Sequence, residues 1–366
     1  MSEWPSSERV LEAVGAMAPA EALRHDLGAL WAFIHHQRDG LEALPVALRS
    51  AAYDGAVNSV DRDMLICRVA PLLGNNDLVI KGAGVARHYP ARWLRTSSDL
   101  DILTPYPARL HAVLQEQLGA RPLLSEAAYA GQAHHHLPPL GLSGFALHIE
   151  VHGRLGLEPW MRHPPLSYLV ERSRELDADL GTRTLDDADH AVYLAAHHWH
   201  STRLTRRRDL VDIALLASAG GAAECAAAAE AFGVSRLWRL GLDVISHVIL
   251  GKRTTRRIVA SRYSDPTGHE LLPVSQRYLT TVSVAGPFAA GQLAMRDMAR
   301  MFSASDDREA LMRSARRRKV GALRGRSKLS RRVPHRRSVE SRLSPERRSP
   351  TSAPQSRGLD EQGPPC

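Results

Sequence analysis

Aromatic residues are scarce, 5% of the 366 residues, and alanine is abundant, so the composition favours helices with small contact residues over an all-β sandwich. Cysteine is scarcer still: Cys67, Cys225 and Cys366 stand far apart and form no CxxC pair. That argues against a disulfide scaffold or a thiolate zinc site and suits a reducing cytosol. No stretch approaches the roughly 20 apolar residues that a membrane span requires. The opening MSEWPSSERVLEAVG has acids where a signal peptide needs a basic n-region. A cytoplasmic protein without a membrane span is therefore expected. What the chain does have is apolar material, 44% of it, enough to bury one large core or two modest ones.

The net charge of +9 is unevenly placed. Residues 313–366 hold 16 Lys/Arg against 4 Asp/Glu, a balance of +12, which leaves −3 for residues 1–312. Rich in Arg, Ser and Pro and nearly free of large apolar residues, this segment cannot offset the entropy of ordering. It reads as a basic disordered tail, bounded at 305–366. Its charge suits nucleic acid or an acidic partner, but no aromatics interleave its arginines to stack on bases. A solvated extension without a partner is the plainer reading.

Residues 5–78 read as helical, with Leu27, Leu30, Trp31 and Ile34 at helical spacing and Leu65, Val69 and Leu72 likewise. Leu78-Val79-Ile80 begins a short buried strand, and Lys81-Gly82-Ala83-Gly84 turns into a short helix ended by Pro90. Ser98 to Leu103 alternates polar and apolar, a strand with one wet and one buried face. Pro107 suits the first position of a helix closed before Gly119. Phe145 to Leu155 alternates again, with Leu147, Ile149 and Val151 on one side and His148, Glu150 and His152 on the other. The core over 79–160 is an α/β arrangement whose sheet order does not follow from the pattern. Helices return over 161–304, one of them capped by Asp186.

Asp99 and Asp101, two apart on a strand, project from one face roughly 6–7 Å apart. Such a pair repels unless a cation sits between, and Mg²⁺ favours carboxylate oxygens while keeping positions open for phosphate and water. Glu150, on the wet face of a later strand, is a candidate third carboxylate for a two-metal site. The Gly82-Ala83-Gly84 turn lies upstream, where bare backbone N–H groups can approach a triphosphate, with Lys81 and Arg95 flanking it. A lone DxD is commonly a surface strand end and a lone GxG an ordinary turn. The two in this order are more specific.

VIKGAGVARHYPARWLRTSSDLDIL resembles the signature of the polymerase-β-like nucleotidyltransferases, in particular a bacterial branch running K-G, Tyr-Pro, Arg and D-x-D. HIEVHGRL is similar to the branch's E-x-H strand, and AVYLAAHHWHSTRLTRRRDLVDIALL to its helical His…Arg…Asp region. Where the wider superfamily usually has Gly-Ser at the turn, this chain has Lys81-Gly82. The resemblance implies an α+β fold, a small mixed sheet with helices packed around it. It implies dependence on Mg²⁺ or Mn²⁺ and transfer of a nucleoside monophosphate from an NTP to an unidentified acceptor, be it small molecule, peptide, protein or RNA. Carried over by position, Asp99, Asp101 and Glu150 hold metal and perform catalysis, while Lys81 and Gly82 serve the phosphates, joined on the reading above by Gly84 and Arg95.

Two rival readings use other residues. His148, Glu150 and His152 share a strand face, so HxExH can ligate zinc in a metal-dependent hydrolase. The fold can also serve as a non-catalytic module for nucleic acid or peptide, anchored by the tail. Of His197 and His198, one is expected in the core and the other toward the cleft. Arg203, Arg206, Arg207 and Arg208 beside Asp209 and Asp212 read either as a solvated helix end or as a binder of acceptor or triphosphate.

Overall fold

Four helices open the chain, as the spacing over 5–78 predicts: α1 (Ser7–Gly15), α2 (Pro19–Arg24), α3 (Gly28–Asp39) and α4 (Val46–Val69). Helix α4 has 24 residues, which at 1.5 Å per residue makes it about 36 Å long. Strand β1 (Leu78–Ile80) and the five-residue helix α5 (Gly82–Ala86) follow, then β2 (Asp99–Leu103). Helix α6 (Pro107–Leu118) starts on its proline and stops at Gly119, whose φ of 67° is left-handed and suits glycine. After it come β3 (Arg121–Pro122), β4 (Leu140–Gly141) and β5 (His148–His152). The computed structural model describes residues 4–40, 42–124, 136–158, 160–202 and 204–252, with a few positions between 281 and 295. The expected tail over 305–366, together with Arg203, lies outside the described residues. Residues 1–295 group as one compact unit.

The five strands form one mixed sheet in the order β1-β2-β5-β4-β3, an α+β arrangement. Strand β2 pairs antiparallel with β1 and parallel with β5. The register sets Asp99 opposite His148, Asp101 opposite Glu150 and Leu103 opposite His152. Because side chains alternate along a strand, one sheet face carries Leu100, Ile102, Ile149 and Val151. These pack with Val79, with Leu65, Ile66 and Val69 of α4, and with Leu110 and Leu114 of α6. The other face carries the acids and histidines together with Leu78, Ile80 and Leu103, which join a larger core of helices.

That larger core contains α8 (Asp187–Ser201), α9 (Arg207–Gly220), α10 (Ala222–Ala231) and α11 (Ser235–Val248), preceded by α7 (Leu166–Arg172). Asp186 caps α8 as expected, its side chain accepting from the Ala188 N–H. Residues 187–196 of α8 and 209–217 of α9 are buried on every face, the pattern of central helices. A hairpin of β6 (Arg174–Asp177) and β7 (Thr182–Thr184) interrupts the region expected to be helical. Its strands are too short, and Arg-Glu-Leu-Asp too polar, to show a period of two. Among the described residues no single helix is long and apolar enough to cross a membrane; α9 and α10 pass only as a pair bent by 112°.

Candidate active site

The parallel register of β2 and β5 brings the three expected carboxylates together. Asp99, His148 and Glu150 offer ligand atoms within 4.8 Å of one another, and so do Asp101, Glu150 and His152. Glu150 belongs to both groups. Asp101 is almost fully buried: Oδ1 accepts from Lys81 Nζ at 2.7 Å and lies 2.8 Å from His152 Nε2. Its Oδ2 is buried with no hydrogen-bond partner among the described residues. Glu150 lies 3.3 Å from His148 Nε2 and 3.6 Å from His152 Nε2.

These neighbours divide the carboxylates electrostatically. Burial favours the neutral acid in each case. At Asp101 the Lys81 ammonium and the His152 hydrogen bond outweigh burial and hold the carboxyl below its usual range. At Glu150 burial is again outweighed, by hydrogen bonds from His148 and His152. Asp99 goes the other way, raised first by burial and then by the charge of Asp101. Three acids thus face the Lys81 ammonium, and a buried carboxylate oxygen stands without a hydrogen-bond partner among the described residues. This donor set fits a divalent cation.

Lys81 reaches Asp101 from a backbone conformation that non-glycine residues seldom adopt, with φ 57° and ψ −124°. Its N–H donates to Nε2 of His190 at 3.0 Å, so a fully buried imidazole on α8 anchors the strained residue. Burial opposes the charge on Lys81, but Asp101 outweighs it and keeps the ammonium above its ordinary range. The two glycines have a packing role. A Cβ on Gly82 would strike Ser97 Oγ, and one on Gly84 would strike Thr184 Oγ1 and come within 2.8 Å of His190 Cε1. Missing side chains here let α5 sit against β7, α8 and the chain entering β2.

Arg95, expected beside the glycine turn, directs Nε and Nη2 to Asp212 Oδ2 on α9, each at 2.8 Å, and Nη1 donates to the Thr96 carbonyl. Asp212, fully buried, also accepts from Tyr89 Oη at 2.6 Å. With these donors used this way, Arg95 ties the segment leading into β2 to α9. Helix α4 grips the same region. Asn58 exchanges two hydrogen bonds with Ser97, at 2.7 and 2.8 Å, and Arg62 donates to the Arg95 carbonyl at 2.9 Å. One turn on, Asp61 accepts from the N–H groups of Ala146 and Leu147, just before β5. Two residues three apart on one helix therefore fix where both site strands begin.

Sequence reasoning missed His190 and Tyr193. His190, Tyr193 and His197 follow one face of α8, with ring centroids 6.5 and 5.6 Å apart, a spacing of three and four that an otherwise apolar helix displays openly. His136 bridges by its backbone to His152, and its Nε2 is 3.9 Å from Glu150. Of the expected pair on α8, His197 is half-buried 3.2 Å from the Gly156 carbonyl, and the ring of His198 faces inward near Asp209.

Burial lowers both His190 and His198 from 6.5 to about 3, so both rings are neutral when folded. Between those values the unfolded chain binds protons that the folded chain does not, and stability falls as the pH drops. At about 1.4 kcal/mol per pH unit for each ring, the two together remove about 2–3 kcal/mol one unit below 6.5. These two rings alone are expected to shift thermal melts down by roughly 5–10 °C between pH 7 and 5.5. His148, raised by its hydrogen bond to Glu150, and His152, where burial is outweighed by the hydrogen bond to Asp101, act in the opposite sense. The test is therefore His198→Phe, which should remove about half of that shift. A pH dependence unchanged by the substitution would contradict a neutral buried ring.

Residues 73–249 match a family model described as an uncharacterised nucleotidyltransferase. No curated protein and no solved structure matches the chain significantly. The matched segment runs from just before β1 to the end of α11 and takes in the whole carboxylate cluster, Lys81 and His190. Residues 73–249 are therefore a region of the uncharacterised nucleotidyltransferase family.

Proposed function

We propose that the chain transfers a nucleoside monophosphate from a nucleoside triphosphate to an acceptor hydroxyl or amine, using the carboxylate cluster on β2 and β5. The observation that carries this reading is the pairing of Asp101 with Glu150 in a parallel register, with Asp99 at the next position on the same face. Asp99, Asp101 and Glu150 would hold the divalent ions. Such an ion, when bound, supplies charge neutralisation to the triphosphate and lowers the proton affinity of the attacking group.

The chain's own residues set the stage for an in-line displacement. Lys81 fixes Asp101 by charge and orientation, and His190 fixes Lys81. The bond from the acceptor to the α-phosphorus forms as the α–β phosphoanhydride breaks, and pyrophosphate leaves with the electron pair. Positioning and charge supply most of the acceleration in such reactions.

The acceptor is a small hydroxylated or amino compound, a peptide, a protein side chain or RNA. The test supplies each α-labelled nucleoside triphosphate to the purified protein with Mg²⁺ or Mn²⁺ and a cell extract. Label should move from triphosphate to acceptor with release of pyrophosphate, and chelation should stop it. A protein that neither binds any triphosphate nor releases pyrophosphate from one refutes the reading.

A further inference from the structure

The two ligand groups at the site are not made of oxygen alone. Each contains one imidazole: His148 with Asp99 and Glu150, His152 with Asp101 and Glu150. The histidines flank Glu150 at two residues on either side, on the same strand face. Their Nε2 atoms point at the carboxylates, His152 toward Asp101 and Glu150 and His148 toward Glu150. The HxExH strand and the DxD strand thus form one cluster with a shared glutamate. A separate zinc site on the first would have to give up Glu150 to the second.

Mg²⁺ is a hard ion that takes oxygen ligands and keeps its waters. Divalent ions of the first transition row take imidazole as well as carboxylate, with a preference that grows from Mn²⁺ to Cu²⁺, and nitrogen ligands raise their affinity over that of Mg²⁺. The buried Asp101 Oδ2, which lacks a hydrogen-bond partner among the described residues, supplies an oxygen ligand beside His152. Resting on the reading of this cluster as the nucleotidyltransferase centre, we infer that His148 and His152 are metal ligands alongside the three carboxylates, and that the site selects a first-row transition dication over Mg²⁺.

The experiment uses the full chain without nucleotide and Mn²⁺ as the probe. Binding is followed by loss of the free-ion paramagnetic resonance signal, with Mg²⁺ as competitor, and nitrogen coordination by electron spin-echo modulation from ¹⁴N. Mn²⁺ is expected to bind at least about tenfold tighter than Mg²⁺. Nitrogen modulation should be present and should weaken in His148→Ala, with the Mn²⁺ preference shrinking and Mg²⁺ affinity holding. The His148 side chain is 27% exposed, so this variant is expected to fold, and metal-free melts check that it does. Equal affinities without nitrogen modulation, or a His148→Ala variant that weakens both ions alike, overturn the inference and leave an all-carboxylate site standing. Failure to bind either ion removes the metal-dependent function together with it.

Discussion

Glu150→Gln is expected to reduce dication-dependent label transfer by roughly 10²–10³-fold, the scale of losing a group that stabilises transition-state charge. Glu150 is the one side chain common to both ligand groups, so its loss removes a charge from each. Glutamine keeps the volume, and Asp101 keeps Lys81 and His152. The thermal midpoint should therefore move little while transfer collapses. Asp99→Asn touches one group only and should cost less. Transfer assays and melts on the same preparations separate chemistry from folding. Near-normal transfer by Glu150→Gln would mean that the shared carboxylate does not carry the reaction.

Asp212→Ala should cost about 3–5 kcal/mol of folding stability, the usual price of stranding a buried charge. Arg95 is buried and directs two guanidinium nitrogens at this one carboxylate, and Tyr89 spends its hydroxyl there too. Alanine leaves all three donors without an acceptor in the interior. Arg95→Met combined with Asp212→Leu removes charge from both sides and should recover much of the loss. Urea denaturation reads both variants. A loss under about 1 kcal/mol in the single variant would show that water or another acceptor reaches Arg95.

The carboxylates were legible because alternation along a strand is local. Asp-Leu-Asp and His-Ile-Glu-Val-His each announce one polar face, and two such faces on neighbouring strands must meet. The helices were legible for the same reason, through spacing and caps such as Asp186 and Gly119. What escaped depends on residues distant in the chain. Arg95 looked poised for phosphate because of its place beside the glycine turn, but its partner lies 117 residues away on α9. The glycines looked like a phosphate cradle, yet their bareness admits Ser97, Thr184 and His190. His190 shows its spacing with Tyr193 and His197, but the group it holds, the Lys81 N–H, lies 109 residues away. Strands β3 and β4 have two residues each, too few for any period to register.

Helix α4 ends at Val69, whereas the family match begins at residue 73. A protein trimmed to the matched segment would keep every acid, both histidines and Lys81, yet lose Asn58, Asp61 and Arg62, the outside brace that aligns the starting points of β2 and β5. A version of this protein that keeps the brace has to begin before Asn58, upstream of the matched segment.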